Sequence, residues 1–313
     1  MPDHIVQIDH VTHRYGGNRV ALDNLSLDVR PGEIFGFLGP NGSGKTTLFR
    51  ILSTLVPPTS GTIRIGGHDV TRDRDAVRRH IGVVFQSPSL DKQLTAEENL
   101  RHHGHLYGLR GAELATRTSE LLGALKLGDR ARERVGTFSG GMRRRVELAK
   151  GMLTRPRILL LDEPSTGLDP AARIDLWDYL TRVRAEQNVT VLLTTHLMDE
   201  ADRCDRLAIL ARGRLLAYDS PEAMKARVGG DVISIEVSDA SRSDARRAIE
   251  RVVGTPVSEV DGSLRVERHA GHELVPRIIE ALPAGTVQSI SLSRPTLEDV
   301  FVQLTGHRFR DEG

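Results

Sequence analysis

The chain has 313 residues, 39% of them hydrophobic and 27% charged, with a formal net charge of +1 and one cysteine. This length leaves room for about two globular domains, the near-zero charge gives no general attraction for nucleic acid, and a single cysteine excludes a disulfide framework. We therefore predict no nucleic-acid partner. Because no apolar run approaches the roughly 18 residues of a membrane-spanning helix, any such part is expected to come from a partner.

Residues 4–30 alternate polar and apolar positions in short segments, a pattern that predicts antiparallel strands. Tyr15 stands before Gly16 and Gly17, where we predict a turn. An aromatic ring there can pack against the interior or stack on a flat ligand such as adenine, and the sequence leaves both possibilities open.

A glycine-rich segment at residues 39–47 matches the phosphate-loop pattern G-x-x-x-x-G-K-[ST] in full. Residues 34–38 before it predict a buried strand and residues 48–52 after it predict a helix, which is the context that the motif requires. Glycines permit a tight turn whose N–H groups converge on phosphate oxygens at the positive end of that helix. Lys45 can place its charge on the β- and γ-phosphates, and the Thr46 hydroxyl can ligate Mg²⁺. The predicted phosphate-binding residues are Gly39, Pro40, Asn41, Gly42, Ser43, Gly44, Lys45, Thr46 and Thr47.

The apolar run at residues 81–85 predicts another buried strand, with Gln86 just past its end. A carboxamide there can hold a metal-bound water, sense a γ-phosphate, or simply cap the strand. Residues 94–135 are helical in character, and Thr95 with Glu98 forms a capping box at their start. Three histidines between residues 102 and 105 are predicted to be solvated on a helix surface.

A second anion-binding device is predicted at Ser139, Gly140 and Gly141, because a hydroxyl and bare amides stand at the start of a helix. The arginines at 143–145 follow within that helix. Consecutive helical residues point about 100° apart, so the three do not form one basic face. We predict a partly solvated surface paired with Glu147 rather than a nucleic-acid patch.

Residues 158–161 predict a central strand that ends in two carboxylates, Asp162 and Glu163. Neighbours in a strand point to opposite sides, so the two side chains are expected to have different roles, one toward Mg²⁺ and one toward a water in line with the γ-phosphate. A further buried strand at residues 189–195 ends at His196, whose imidazole can hydrogen-bond the γ-phosphate.

The character of the sequence changes near residue 220. We predict a nucleotide-binding domain at residues 1–220, with a helical subdomain at about 87–150, and an accessory α/β domain at residues 221–313. The accessory domain alternates strand-like and helix-like segments and carries no phosphate loop, so we interpret it as a regulatory or interaction module.

These features, in this order, resemble the ATP-binding-cassette (ABC) ATPases, and the resemblance covers about residues 4–220. Its most specific part is the Ser-Gly-Gly signature followed by a strand that ends in Asp-Glu-Pro. The signature departs from the common Leu-Ser-Gly-Gly-Gln at Phe138 and Met142, a form also seen in drug-exporter ATPases. The segment at residues 297–301 resembles the tail of the daunorubicin/multidrug-exporter ATPases, which pair with separate type-2 permeases. The resemblance implies an α/β phosphate-loop core with a mixed sheet, antiparallel N-terminal strands and a helical subdomain.

For the nucleotide, the resemblance implies that Tyr15 stacks on adenine and that residues 42–47 wrap the phosphates of ATP. Thr46, Gln86 and Asp162 are implied to surround Mg²⁺.

For catalysis, the resemblance implies that Glu163 polarises the attacking water and that His196 contacts the γ-phosphate. Gln86 is implied to couple the site to the permease. Residues 139–141 are implied to grip ATP held by the opposite subunit, and Asp169 to join the two sites across the dimer.

The function implied is that of a homodimeric, Mg²⁺-dependent ATPase peripheral to the cytoplasmic side of the membrane. It would power a separate integral membrane permease that exports drugs or other hydrophobic compounds. A soluble ABC ATPase of translation or DNA repair and a non-enzymatic binding module are the alternatives. The sequence leaves the cargo and the direction of transport open.

Overall fold

The structure is a computed structural model that describes residues 4–16, 19–260 and 262–309. The chain divides into two units, with the boundary between Tyr218 and Asp219. Among the described residues, no helix combines the length and the apolar character needed to cross a bilayer.

The first unit contains two sheets and a set of helices. Its strands are β1 (Val6–Tyr15), β2 (Arg19–Val29), β3 (Ile34–Leu38), β4 (Ser60–Ile65), β5 (His68–Asp69), β6 (Ile81–Val84), β7 (Ile158–Asp162), β8 (Thr190–Thr195), β9 (Arg206–Ala211) and β10 (Arg214–Asp219), the last of which reaches the boundary. Its helices are α1 (Lys45–Leu52), α2 (Arg74–His80), α3 (Ala96–Leu106), α4 (Gly111–Ala124), α5 (Gly140–Met152), α6 (Pro170–Gln187) and α7 (Met198–Ala201).

The larger sheet has the order β10-β9-β3-β8-β7-β6, and the pairs from β9 through β6 are parallel. Strands β3, β7 and β8 are buried along their whole length, as expected for parallel strands covered on both faces. Alternate residues of β7 belong to different cores: Leu160 packs with the antiparallel sheet, and Leu159 packs with α4, α5 and α6. Because parallel strands end at the same edge, the residues that follow β3, β6, β7 and β8 are brought together.

The smaller sheet has the order β2-β1-β4-β5 and is antiparallel. Where the sequence suggested several short strands, the structure has two long ones, because register shifts in the β1–β2 pair interrupt the polar–apolar alternation. Tyr15 is also not in a turn, since it is the last residue of β1 and pairs with Arg19. The predicted α/β phosphate-loop core with antiparallel N-terminal strands and a helical insert is confirmed.

The helical insert begins with the predicted capping box. Glu98 N donates to Thr95 Oγ1 at 3.1 Å, and Thr95 N donates to Glu98 Oε2 at 2.8 Å. One histidine prediction is wrong, because His103 is half-buried rather than solvated. Burial, with a smaller effect of the Lys150 charge, lowers the pKa of His103 to about 4.

The second unit contains α8 (Pro221–Ala226), β11 (Asp231–Val237), α9 (Arg242–Val253), β12 (Ser258–Val260), β13 (Ser263–Arg268), α10 (Gly271–Glu280), β14 (Val287–Ser293) and α11 (Leu297–Thr305). Its sheet has the order β12-β13-β11-β14 with antiparallel neighbours, which is the split β-α-β, ferredoxin-like arrangement. Ile233, Ile235 and Leu264 form its core with Ile249 of α9 and Ile278 of α10.

The tail segment at residues 297–301 has a structural explanation. Thr296 caps α11, and Asp299 Oδ2 accepts from Thr296 N at 2.7 Å. The other carboxylate oxygen, Asp299 Oδ1, lies 2.8 Å from Nη1 of Arg265 on β13. Leu297 and Phe301 are both 1% exposed. The motif therefore starts a helix and ties it to the sheet of the same unit.

Candidate active site

The glycine-rich loop joins β3 to α1, as the motif requires. Gly44 caps the helix in the left-handed region, at φ 106°. A Cβ on Gly39 would lie 2.3 Å from the carbonyl oxygen of Leu210, so this position admits no side chain. Lys45 Nζ donates to the carbonyl oxygens of Gly39 at 2.6 Å and Pro40 at 3.0 Å. The ammonium group is thus held at the loop, where a nucleotide phosphate would need it.

Tyr15 lies beside the same helix. Its hydroxyl is 3.3 Å from Thr47 Oγ1, and its ring packs edge-on against His13 at 4.7 Å between centroids. The side chain is 36% exposed, so part of the ring is accessible at the edge of the phosphate loop. Its stacking on adenine stays a prediction, and this position is compatible with it.

Asp162 ends β7 and is only 4% exposed. Burial raises its pKa, while the hydrogen bond from Thr194 and the charges of Lys45 and Arg144 oppose that rise. The Thr194 hydroxyl donates to Asp162 Oδ1 at 2.6 Å and accepts from Glu163 N at 2.9 Å. This network connects the end of β8 to both carboxylate residues.

The predicted catalytic residues Gln86 and His196 both approach one carboxylate oxygen of Glu163. Glu163 Oε2 accepts from Gln86 Nε2 at 3.1 Å and lies 3.4 Å from Nδ1 of His196. The Thr166 hydroxyl also donates to this oxygen, at 3.2 Å, although no sequence motif singled out that residue. Three residues that follow three different strands thus meet at one carboxylate. Such an arrangement can hold and polarise a water molecule.

The backbone of Glu163 is left-handed, with φ 44°. A residue with a side chain costs about 1–2 kcal/mol in this region, and such strain persists only where the surroundings hold it. At this strained position the Glu163 side chain contacts Gln86 and His196.

The residues present suit a magnesium ion. Mg²⁺ prefers oxygen donors and in nucleotide sites uses one or two protein groups together with phosphates and waters. Thr46 supplies an exposed hydroxyl at the start of α1, and Asp162 supplies a carboxylate near Lys45. In the described ranges, no group of three or more His, Cys, Asp or Glu side chains could hold a metal by itself.

The signature residues lie at the start of α5 in the first unit. Ser139 is exposed and caps α5, its hydroxyl accepting from Met142 N at 3.3 Å. Gly140 is exposed as well, and Gly141 packs against Ala172 of α6. Asp169 caps α6 and accepts from Ala172 N at 2.9 Å. The exposed helix start is free of bulky side chains, as the binding of an anion from outside requires.

Arg144 departs from the predicted, partly solvated arginine surface, whereas Arg143 and Arg145 are half-buried. Arg144 is 9% exposed, and its guanidinium donates to four backbone carbonyl oxygens. The distances are 2.6 Å to Pro164 O, 2.7 Å to Phe85 O, 3.1 Å to Asp162 O and 3.0 Å to Glu163 O. The helical pattern did not reveal this role, because the carbonyls belong to residues distant in sequence.

The predicted pairing of the arginines with Glu147 holds in part, because the Glu147 charge opposes the fall that burial causes in the pKa of Arg144. Glu147 is 2% exposed and accepts from Ser89 N at 2.5 Å. Within α5, Lys150 Nζ lies 3.3 Å from Glu147 Oε2. Glu147 therefore anchors the segment that follows Gln86 to α5.

Glu200 is a second buried residue that the motifs did not indicate. It is 2% exposed, and burial raises its pKa. Its carboxylate accepts from the hydroxyls of Ser165 and of Thr195, the latter at 2.6 Å. It thereby ties the segment after Glu163 to the segment that carries His196.

Comparison with known proteins identifies both units. The ABC transporter family profile matches residues 22–166, and the profile of the C-terminal domain of DrrA1-3-like ATP-binding proteins matches residues 220–305. The chain is 40% identical over 309 residues to the daunorubicin resistance ATP-binding protein DrrA3 of Streptomyces coeruleorubidus, covering 98% of this chain and 97% of the relative.

One further relative and one solved structure are also similar to this chain. The Nod factor export ATP-binding protein I of Paraburkholderia xenovorans is 39% identical over 321 residues, covering 99% of this chain and all of the relative. The dimeric structure of the ATP-binding cassette MJ0796, in a post-hydrolysis state with ADP and Pi, superposes with a TM-score of 0.63 at 31% identity. It covers 69% of this chain and 98% of that one. The chain therefore belongs to the ABC transporter family, as the ATPase subunit of an exporter.

Proposed function

We propose that two copies of this chain hydrolyse ATP together and thereby drive a separate integral membrane permease that exports drug-like, hydrophobic compounds. The observation that carries this proposal is the convergence of Gln86, Thr166 and His196 on one oxygen of Glu163, at the strand edge that also holds the phosphate loop.

In this proposal residues 39–47 bind the phosphates of ATP, and Tyr15 stacks on the adenine. Glu163 accepts a proton from the attacking water while His196 and Gln86 orient the reacting groups. Most of the rate enhancement comes from positioning and from charge stabilisation, as is usual for phosphoryl transfer.

A magnesium ion is proposed beside the γ-phosphate, with Thr46, Asp162 and Gln86 around it. When bound, it would neutralise charge on the transferred phosphoryl group. The buried Asp162 is suited to this role, because the carboxylate is already held in place by Thr194.

The second copy is proposed to supply the signature. Ser139 and Gly140 are exposed at the start of α5, where a helix end attracts an anion. The structure of MJ0796 described as dimeric with ADP and Pi supports a paired arrangement for cassettes of this fold. Asp169, exposed at the start of α6, would connect the two sites.

The cargo and location are proposed from the relatives. Their names refer to daunorubicin resistance and to Nod factor export. The subunit would bind the permease at the cytoplasmic face of the membrane, through the helical insert and the segment after Gln86.

The experiment uses the purified full chain with Mg²⁺ and ATP. Glu163→Gln should retain ATP binding, while the rate of hydrolysis falls by about 100-fold or more, because the base is lost. Glu120→Gln, which makes the same change on an exposed residue, is the control and should keep the rate. Normal turnover by Glu163→Gln would show that the assigned base is wrong.

The partner is tested by isolating the tagged chain from detergent-solubilised cells. An integral membrane protein is expected in the purified complex, and ATP should be hydrolysed faster when a hydrophobic cargo is added. Recovery of ribosomes or DNA instead would favour the soluble alternative and overturn the exporter proposal.

A further inference from the structure

Arg144 contacts both catalytic segments of its own subunit. Its Nη1 donates to the carbonyl of Phe85, the residue before Gln86, and its Nη2 donates to the carbonyls of Asp162 and Glu163. Its Nε donates to Pro164 O at 2.6 Å. One planar side chain thus fixes the backbone on both sides of the catalytic glutamate and the backbone that presents Gln86.

These contacts coincide with the strained backbone of the site. Glu163 has a left-handed backbone, which a residue with a side chain adopts only under constraint. Arg144 binds the carbonyl oxygens before, at and after this turn, so it holds the peptide planes in the orientation that the turn needs. Burial keeps water from competing for the same carbonyls.

Arg144 also belongs to the helix whose start carries the signature. Ser139 caps α5, and Arg144 follows five residues later in the same rigid element. Movement of the helix start toward an ATP molecule on the opposite copy would therefore move the guanidinium and the carbonyls bound to it. The signature end and the catalytic end of one subunit are mechanically connected through this side chain.

We propose that Arg144 is a positioning residue, which transmits engagement of the signature by the opposite copy's ATP to Glu163 and Gln86 of its own subunit. The inference rests on the proposed function, because it requires a dimer with the signature acting across it. It makes hydrolysis at each site depend on occupancy of the other site.

The chemistry of the side chain explains why arginine is needed. Its fork presents donors in three fixed directions, and here three of its nitrogens reach four carbonyl oxygens. Lysine carries the same charge as a single point, so it cannot hold both catalytic segments together. If Arg144→Lys also loses activity, the fork geometry of the guanidinium is required and the positive charge alone is not enough.

The first experiment compares full-length Arg144→Gln and Arg144→Lys with Arg145→Gln. Arg145 is a neighbour on α5 whose guanidinium pairs with Asp175, 3.0 Å away. Both Arg144 variants should bind ATP with unchanged affinity, while kcat falls about 10-fold or more and the Hill coefficient for ATP falls to about 1. Arg145→Gln should retain the rate and the Hill coefficient. Retention of both by Arg144→Lys would overturn the role of the fork, and retention by Arg144→Gln would overturn the proposal.

A second experiment uses mixed dimers, purified with two different tags, and does not depend on the absolute activity of a variant. The reference contains one unaltered copy and one Glu163→Gln copy. Adding Arg144→Gln to the Glu163→Gln copy should leave the reference rate unchanged, because that copy's own base is already lost. Adding it to the other copy should lower the rate about 10-fold. Equal rates, or the reverse order, would contradict action on the subunit's own glutamate.

Thermal unfolding of each variant separates a positioning effect from loss of the fold. Arg144→Gln that still binds ATP and unfolds cooperatively, but turns over slowly, supports the proposal. Full activity of Arg144→Gln with an inactive Glu163→Gln would refute only this inference. Full activity of Glu163→Gln would refute the proposed function itself.

Discussion

The two units use buried polar residues in different ways. In the first unit, buried polar groups such as Lys45, Asp162 and Glu200 lie at or next to the carboxyl ends of parallel strands. In the second unit, buried Arg265 and Asp299 pair with each other and tie a helix to an antiparallel sheet. The first set includes groups whose pKa is shifted by burial, whereas the second neutralises its own charges.

The two units therefore show two different reasons for burying a charged side chain. Burying a carboxylate is costly, so it is expected only where function requires it or where an ion pair compensates. Asp162, which we propose beside Mg²⁺, has a raised pKa and is of the first kind. The Asp299 contacts are of the second kind. The following changes test whether the two units can be disturbed separately.

The greatest loss of stability is expected in the second unit. Arg265→Leu leaves Asp299 buried without its cation, so we expect that unit to lose about 3–5 kcal/mol of stability. The initial rate of ATP hydrolysis at low temperature should stay within about twofold, because all residues of the candidate active site belong to the first unit. Calorimetry should show a lower melting temperature for one unfolding transition and an unchanged melting temperature for the other. Arg247→Leu, at a side chain that is 70% exposed, is the control.

The next effect is on the phosphate loop. Gly39→Ala places a Cβ against the backbone oxygen of Leu210, so the loop must move, and ATP affinity should fall by about 30-fold or more. Gly42→Ala meets no atom within 4 Å but has φ 76°, so it should lose only about fivefold. Equilibrium binding of a fluorescent ATP analogue measures both. The same affinity for the two variants would contradict the assigned contact.

His103 is expected to make the helical insert sensitive to acid. Its pKa is about 4 in the fold against the ordinary histidine pKa of 6.5, so the unfolded chain takes up a proton first as the pH falls. The stability contributed by the neutral ring is present above pH 6.5 and is lost as the pH falls through 4. Relative to His103→Gln, the unaltered protein should lose about 2 kcal/mol between pH 7 and pH 4.5 in urea unfolding. A constant difference between the two proteins would show that the ring titrates normally.

The smallest effect compares matching helix caps in the two units. Thr95 and Thr296 each form a complete capping box, at the starts of α3 and α11. Replacing either by alanine should cost about 1 kcal/mol, in the unit that carries it. Replacement by serine keeps the hydroxyl and should restore most of the loss. Unfolding curves for the four variants are expected to shift only one transition each.

Local patterns pointed to several residues that the structure brings together at the candidate active site. The phosphate loop, Gln86, Asp162, Glu163 and His196 were each recognised from the type of residue at a strand end. Parallel strands then bring such residues to one edge, so their convergence followed from the fold class. Arg144 and Glu200 were missed, since they contact backbone carbonyls and a hydroxyl 18 or more residues away in sequence. Thr166 was missed although its partner Glu163 is only three residues away, because no motif marks a hydroxyl in that turn.

The fold class and the phosphate-loop motif could be predicted from the amino-acid sequence alone, because they depend on local periodicity and on short motifs. The tertiary structure was needed to show that Glu163 adopts a left-handed backbone and that Arg144 donates to its carbonyl oxygen. It also showed that the tail motif at residues 297–301 serves to attach a helix. The physical reason is that a buried polar group is defined by its partners, and those partners are chosen by packing rather than by neighbours along the chain.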